Sequence, residues 1–406
     1  MTERLEKARV LIYSHDTFGL GHLRRCRAIA HSLVEQYKGL SVLILSGSPI
    51  IGSFDFRARV DFVRIPGVIK LYNGEYTSLA LHIDLEQTLR MRESIIRHTA
   101  ETFAPDLFLV DKEPLGLQGE VANTLAMLKR QGVPVVLGLR DVMDEPSQLR
   151  REWERKQVMP ALKNIYDEIW VYGIAKMGDP LAGTGAPADV YAKTLFTGYL
   201  QRALPAEPIV RTPVNIREPF VFVTSGGGGD GFALIDWVLR AYESDQTLPH
   251  AALIVFGPFM PSAMQEEFMA RVDPLERVEA ITFDAHIENL MARAAGIVAM
   301  GGYNTFCEIL SLNQRAILVP RSVPRREQLI RGARAAALGL VKLLDADRDR
   351  DTLTMIDALR ALPAQPLPSE IAIPGLLDGL ATVNRRVKVG IESGYVVTPS
   401  IAQSIA

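Results

Sequence analysis

Residues 8 to 33 open with Ala8-Arg9-Val10-Leu11-Ile12-Tyr13, continue through Ser14-His15-Asp16-Thr17-Phe18-Gly19-Leu20-Gly21-His22 and run on from Leu23 to Leu33. This reads as an apolar run of strand length, a loop carrying two glycines and an amphipathic helix. The run is continuously apolar rather than alternating, which suits a strand buried on both faces of a parallel sheet. Similar runs recur at Ser41 to Leu45, Leu107 to Val110 and Val133 to Leu139, separated by helix-like segments. A second series follows at Phe220 to Thr224, Ala252 to Phe256, Val278 to Ile281, Gly296 to Met300 and Ala316 to Val319. The fold class is therefore α/β, and ligands are expected at the carboxyl ends of the strands.

The chain has 406 residues, enough for two or three domains. A stretch containing Pro205, Pro208, Pro213 and Pro219 separates the two strand series and marks a boundary. The expected organisation is a first domain over 1–204, a linker over 205–218, a second domain over 219–372, and a terminal helix with a tail over 373–406, the helix running from Ile373 to Val389. With 45 basic and 47 acidic residues the net charge is −2, so no global field draws in nucleic acid. Neither an apolar leader nor an apolar run of about 18 residues is present, and a cytoplasmic location is expected. Cys26 and Cys307 are far apart and form no CxxC pair, so neither a disulfide framework nor a structural zinc site is expected, and no DxD metal motif appears in a suitable loop.

Three loops carry candidate chemistry. In the first, Gly19 and Gly21 permit close approach of a ligand to the backbone, and the helix behind offers free N–H groups. His22 follows glycine at that helix start, where a near-neutral imidazole can take a proton from a hydroxyl or water. His15 and Asp16 can orient it or share its proton, and equally can cap the loop. The second loop, Thr224-Ser225-Gly226-Gly227-Gly228-Gly229-Asp230-Gly231, leads into a helix near Phe232 and can cradle a diphosphate on successive backbone N–H groups. It lacks the Gly-Lys-Ser/Thr of a Walker A loop. The third, Met300-Gly301-Gly302-Tyr303-Asn304-Thr305-Phe306-Cys307-Glu308, again joins a strand end to a helix start. Asn304 or Thr305 can cap that helix and contact phosphate, while the Glu308 carboxylate can hold two vicinal hydroxyls. Beyond the last strand, Pro320-Arg321-Ser322-Val323-Pro324-Arg325-Arg326-Glu327-Gln328 adds positive charge near the phosphates and Gln328 near sugar hydroxyls. Asp111 and Glu113, then Arg140 and Asp141, also follow strands and are expected to line an acceptor side or to form salt bridges. The segment Pro66 to Leu81, polar and aromatic, is expected to form an acceptor loop or lid.

These motifs resemble those of GT-B glycosyltransferases of the MurG-like type, family 28, in its predicted bacterial branch. The resemblance spans most of the chain. It rests on Gly19-Leu20-Gly21-His22 and on the ordered set Ser225-Gly226-Gly227, Gly301-Gly302-Tyr303-Asn304-Thr305 with Glu308, then Pro320 and Gln328. It implies two Rossmann-like domains facing a central cleft, the first on the acceptor side and the second binding a nucleotide-sugar, with a C-terminal helix crossing back. It further implies that Glu308 holds ribose, that the loop of Ser225, Gly226, Gly227 and Gly228 and Thr305 hold the diphosphate, and that Gln328 reaches the sugar, with Gly21, Gly302, Tyr303, Asn304 and Arg321 as further donor-binding candidates. Ile281-Thr282-Phe283 resembles the family's base-binding stretch, which implies a base near Phe283 to Ile287. The implied reaction is an inverting, metal-independent transfer from a UDP-sugar, with no cofactor, to a carbohydrate, lipid-linked or small-molecule acceptor. A peripheral contact with the inner membrane face is compatible with it. Departures also stand: Phe18-Gly19-Leu20-Gly21-His22-Leu23-Arg24-Arg25-Cys26 is similar to the first loop of PseG/SpsG-type UDP-sugar hydrolases. Hydrolysis, an epimerase reaction and a non-catalytic binding role therefore remain alternatives.

Overall fold

The computed structural model describes residues 5–15, 21–70, 75–204, 215–216, 218–227, 229–284, 286–345 and 350–395. They form two compact units. One comprises the described residues of Met1–Ala175, Asp179–Leu200 and Asp378–Ala406, the other those of Lys176–Gly178 and Gln201–Leu377.

The first unit runs β1 (Arg9–Ser14), α1 (Gly21–Gln36), β2 (Ser41–Ser46), β3 (Val60–Arg64), β4 (Val68–Lys70), β5 (Tyr76–Ser78), α2 (Leu85–Phe103), β6 (Leu107–Asp111), α3 (Ala122–Arg130), β7 (Val135–Arg140), α4 (Pro146–Arg155), α5 (Val158–Asn164), β8 (Glu168–Tyr172), α6 (Ala188–Tyr191) and β9 (Thr194–Phe196). Seven of its strands form a parallel sheet in the order β3-β2-β1-β6-β7-β8-β9. The order reverses between β1 and β6, where loops leave in opposite directions and open a crevice. Burial on both faces explains the apolar runs: β6, β8 and most of β7 are buried along their length. The core gathers Leu11, Phe108, Val110, Leu125, Leu137, Trp153 and Leu162. The Pro66 to Leu81 segment is in part a short antiparallel hairpin of β4 and β5, with residues 71–74 outside the description.

The second unit repeats the plan with β10 (Phe220–Thr224), α7 (Phe232–Ser244), β11 (Ala251–Val255), α8 (Ser262–Val272), β12 (Val278–Ile281), α9 (Ile287–Arg293), β13 (Gly296–Ala299), α10 (Tyr303–Ser311), β14 (Ala316–Leu318), α11 (Glu327–Ala337), β15 (Lys342–Leu343) and α12 (Thr352–Ala361). Its six-stranded parallel sheet has the order β12-β11-β10-β13-β14-β15, reversing between β10 and β13. Both glycine loops of this half leave the two strands at that reversal.

The final helix, α13 (Gly379–Ser393), belongs to the first unit. It starts later than the sequence pattern suggests, because Pro374 and the left-handed Gly375 (φ 72°) interrupt any helix begun at Ile373. Tyr37 donates to the Asn384 carbonyl at 2.9 Å, Asn384 Nδ2 donates to Ser32 Oγ at 2.9 Å, and Arg386 pairs with Glu168. Gly379 lies so close to the chain end of the sheet that a Cβ there would sit 2.5 Å from the Tyr199 carbonyl oxygen. Gly379→Ala is therefore expected to destabilise this unit by about 1–3 kcal/mol, an overpacking that backbone cannot relieve. Urea denaturation of the variant checks this, and an unshifted midpoint would contradict it.

Candidate active site

In the first unit the chemistry lies where the strand order reverses. Asp111 is the last residue of β6, paired beside β1 through Tyr13 and Val110, and His22 is the second residue of α1, which follows β1. The crossover thus delivers two residues 89 positions apart to one point, with His22 Nδ1 2.6 Å from Asp111 Oδ2. Arg25, one turn along α1, clasps the same carboxylate, Nε donating to Oδ1 at 2.7 Å and Nη2 to Oδ2 at 2.5 Å. Asp111 and Arg25 are 1% and 2% exposed, so the pair is desolvated. Burial alone would raise the Asp111 pKa, but the guanidinium and the His22 ring outweigh it and hold the carboxyl well below the usual range. An ionised carboxylate only accepts, so the hydrogen between it and His22 belongs to Nδ1, and Nε2 carries a free lone pair. Burial lowers the His22 pKa to about 4 against the opposing effect of Asp111, leaving the ring neutral near neutral pH.

Other predicted residues join this cluster. The His15 ring stands edge-on to His22 with centroids 5.6 Å apart and is buried. Burial, foremost, drives its pKa well below the ordinary value. Glu113 is bound by Lys156 at 2.8 Å and Lys112 at 3.4 Å; the charge of Lys112, then of Lys156, overcomes its burial and keeps it ionised. Glu113 and Lys156 also line a cavity of about 260 Å³ under the loop Pro114 to Gly119. Asp141 is engaged elsewhere, accepting from the Tyr199 hydroxyl at 2.7 Å, and Arg140 ends β7. Asp16 lies outside the described residues.

Tyr172, Tyr13, Glu120 and Arg92 carry no motif, whereas Arg25 belongs to the first-loop string Phe18 to Cys26 without a role assigned to it. A lone glycine inside a strand was the available signal for Tyr172: a Cβ at Gly138 would lie 2.1 Å from its hydroxyl. That buried hydroxyl has its pKa raised by burial, then by Asp111 and Cys26.

In the second unit the glycine loop after β10 folds closely on itself. Ser225 Oγ donates to the Phe256 carbonyl at 2.6 Å, Gly226 takes φ 74°, and the Phe259 N–H donates to the Gly227 carbonyl at 2.9 Å. Gly257, at φ 92°, comes within 2.6 Å of the Gly226 oxygen at the position a Cβ would take. The loop enters α7 through Gly231 with no side-chain cap and no acid in the first turn, leaving the positive helix end for an anion. Gly228 lies outside the described residues.

The loop after β13 enters α10 in the same way, with Gly302 as N-cap and no capping side chain. Asn304 and Thr305 therefore lie within the first turn instead of capping it, and Asn304 Oδ1 accepts from Arg202 Nη2 at 2.9 Å. Gly301, at φ 79°, is held through its carbonyl by the buried Arg331 at 3.1 Å, whose guanidinium lies 5.7 Å from the Tyr303 ring centre. Glu308, one turn on, is 2% exposed. Arg321 does reach the glycine loop, but paired: Nε lies 2.7 Å from Asp230 and Nη2 donates to Glu327 at 3.3 Å. Gln328 Oε1 accepts from the Arg321 N–H at 3.3 Å. Phe283 is 42% exposed, and Ile287 begins α9. Among the described residues no three His, Cys, Asp or Glu side chains group to hold a metal ion, and no helix is long and apolar enough to cross a membrane.

Residues 220–362 match the glycosyltransferase family 28 C-terminal domain. The whole chain is similar in structure to MurG of Acinetobacter baumannii, at 13% identity and TM-score 0.57, covering 94% of this chain and 99% of that one. The fold is GT-B. A comparable likeness holds to Phytolacca americana UGT2 complexed with UDP-2-fluoroglucose and pterostilbene, at 14% identity and TM-score 0.58 over 96% of this chain and 97% of that one. The glycosyltransferase VinC, in complex with dTDP, gives 17% identity and TM-score 0.57 over 95% of each chain. None of the curated proteins matches the chain.

Two outcomes test the electrostatics of the first unit. Arg25→Met strands a buried carboxylate and should lower stability by about 3–5 kcal/mol; a loss below about 1 kcal/mol in chemical denaturation would refute the clasp. The His22 pKa is depressed from 6.5 to about 4, so the unfolded chain binds the proton first. Its contribution is complete above pH 6.5 and is lost as pH falls towards 4. Stability measured over that window should decline, and less steeply in His22→Gln.

Proposed function

We propose that the protein transfers a glycosyl group from a nucleotide diphosphate-sugar, UDP-linked by preference, to an acceptor hydroxyl. The observation that carries this reading is the 2.6 Å His22–Asp111 pair at the strand-order reversal, in a chain whose residues 220–362 match a glycosyltransferase domain. In this reading the first unit serves the acceptor and the second the donor. His22 Nε2 accepts the proton of the attacking hydroxyl while Asp111, kept ionised by Arg25, stabilises the imidazolium as it forms. The oxygen attacks the anomeric carbon as the bond to the diphosphate breaks. The leaving charge is taken up by the helix ends of α7 and α10 and by backbone N–H groups of the two glycine loops.

One base and one stabilised leaving group make a single displacement, which inverts the anomeric centre and calls on no metal or cofactor. Glu308 would hold the ribose, Phe283 with Ile287 the base, Thr305 the phosphates and Gln328 the sugar. UDP-2-fluoroglucose and dTDP are bound in two of the similar structures, and both carry a pyrimidine of the kind that an exposed Phe283 can stack upon. The loop Gly21-His22-Leu23-Arg24-Arg25-Cys26 keeps water in view as an acceptor, because the same base would activate it. A cytoplasmic site of action belongs to the same proposal.

Calorimetric binding of UDP, GDP, ADP and dTDP, followed by mass spectrometry of UDP-sugar incubations, separates these readings. Selective binding with slow turnover until an acceptor is added supports the transferase; rapid release of free sugar supports the hydrolase; no binding refutes the donor site. His22→Ala should lower turnover by roughly 10²–10⁴-fold while sparing UDP binding, and unchanged turnover would remove His22 from the mechanism. The acid limb of kcat/KM should fall near pH 4 instead of 6.5, since the free ring protonates only there. Glu308→Ala should weaken UDP binding by about 1.5–3 kcal/mol, and an unchanged dissociation constant would refute the ribose contact.

A further inference from the structure

His22 is not alone in its cluster, and the second ring is tied to a separate buried chain of groups. Tyr13 Oη donates to Glu120 Oε1 at 2.5 Å, accepts from the Leu117 N–H at 3.2 Å, and lies 3.5 Å from His15 Nδ1. Glu120 in turn is gripped by the Arg92 fork, Nε to Oε2 at 2.5 Å and Nη2 to Oε1 at 2.6 Å. Tyr13, Glu120 and Arg92 are all buried, at 0%, 3% and 0% exposure. The remaining Arg92 nitrogen, Nη1, donates to the Pro66 carbonyl at 2.5 Å, ahead of the β4–β5 hairpin.

A phenol has one proton and two lone pairs, whereas a guanidinium-bound carboxylate has none to give. The Tyr13 proton is therefore committed to Glu120, and one lone pair is filled by Leu117. What remains towards His15 is a lone pair, and only a hydrogen on Nδ1 satisfies it. A bare Nδ1 would set two lone pairs against each other in a buried place.

We propose that the chain Arg92–Glu120–Tyr13 sets the tautomer of His15, placing its proton on Nδ1 and leaving Nε2 as a hydrogen-bond acceptor beside the His22 base. His22 is given the same tautomer by Asp111, so two neutral rings with centroids 5.6 Å apart both keep Nε2 unprotonated. Tyr13, Glu120 and Arg92 are positioning residues. For its use the inference rests on the acceptor-side reading above: His15 Nε2 receives a hydrogen bond from the acceptor while His22 takes the reacting proton. The tautomer itself does not depend on that reading. Burial keeps His15 uncharged, so the arrangement persists near neutral pH. A purely structural Arg–Glu pair could be exchanged for apolar residues of similar volume without moving any proton.

The experiment is long-range proton–nitrogen correlation NMR on the full chain labelled with ¹⁵N-histidine near neutral pH, the His15 signals being assigned with His15→Gln. The expected result is a protonated Nδ1 and a bare Nε2 for His15. In Tyr13→Phe and in Glu120→Leu, which removes the acceptor of the Tyr13 proton, that pattern should be lost, while the His22 signals are unchanged and UDP affinity stays within about twofold of the parent. A protonated Nε2 on His15 in the parent overturns the proposal, as does an unchanged His15 pattern in Tyr13→Phe. Should both variants fail to fold, the parent spectrum alone decides the tautomer. Once a turnover is found, a loss of about tenfold in Tyr13→Phe supports the role beside His22, and undiminished turnover with an altered tautomer overturns it. Failure of the parent to bind any nucleotide would strike the donor reading and leave the tautomer result standing.

Discussion

A parallel strand can be reached only by crossing over the sheet, and wherever the direction of crossing reverses, the loops at the carboxyl ends part. That constraint organises both halves of this chain. The loops after β1 and β6 part in the first unit and those after β10 and β13 in the second, and the histidine–carboxylate pair and the two later glycine loops hang from those four strand ends. His22 follows β1 and Asp111 ends β6; the Ser225 loop follows β10 and the Gly301 loop follows β13. The strands supply rigidity because they are buried on both faces, which also makes them unsuitable for carrying charge themselves. Polar chemistry is displaced to the last residues of the strands, such as Asp111, and to the loops beyond them.

The two units then use different means. The first relies on side-chain charge in a desolvated place. One carboxylate, Asp111, serves two donors, and its ionisation survives burial because Arg25 approaches with two nitrogens. The same desolvation keeps His22 and His15 neutral, so the site holds bases where an exposed pair would be partly protonated in mild acid. The second unit relies on backbone. Its arginine near the glycine loop, Arg321, is shared by Asp230 and Glu327, so in the proposed donor role the anion would fall to uncapped helix ends and glycine N–H groups. Gly226, Gly257 and Gly301 take positive φ there, where a Cβ would be strained or would strike neighbouring backbone.

Much of this was legible beforehand. The continuous apolar runs specify doubly covered parallel strands, and the three glycine loops mark the strand ends from which the chemistry hangs. His22 stood out by its place at a helix start. Its partner was visible only as one of several acids that follow strands, with Asp111 no more prominent than Asp141. Arg92, Glu120 and Tyr13 gave no local signal at all, since each is an ordinary residue of its element and they are spread over positions 13 to 120.

The division has a physical basis. Strand and helix patterning, glycine at left-handed turns and the order of motifs are local properties, encoded over a few residues by backbone sterics and the burial of apolar faces, so the sequence by itself determines the α/β class and the positions of the loops. Which acid faces which histidine depends on the crossover that sets β6 beside β1, on the rotamers burial selects, and on a glycine at 138 that leaves room for Tyr172. These are long-range consequences of packing. Only the tertiary structure therefore decided that Asp111, held by Arg25, is the residue that orients His22, and that Tyr13 meets His15.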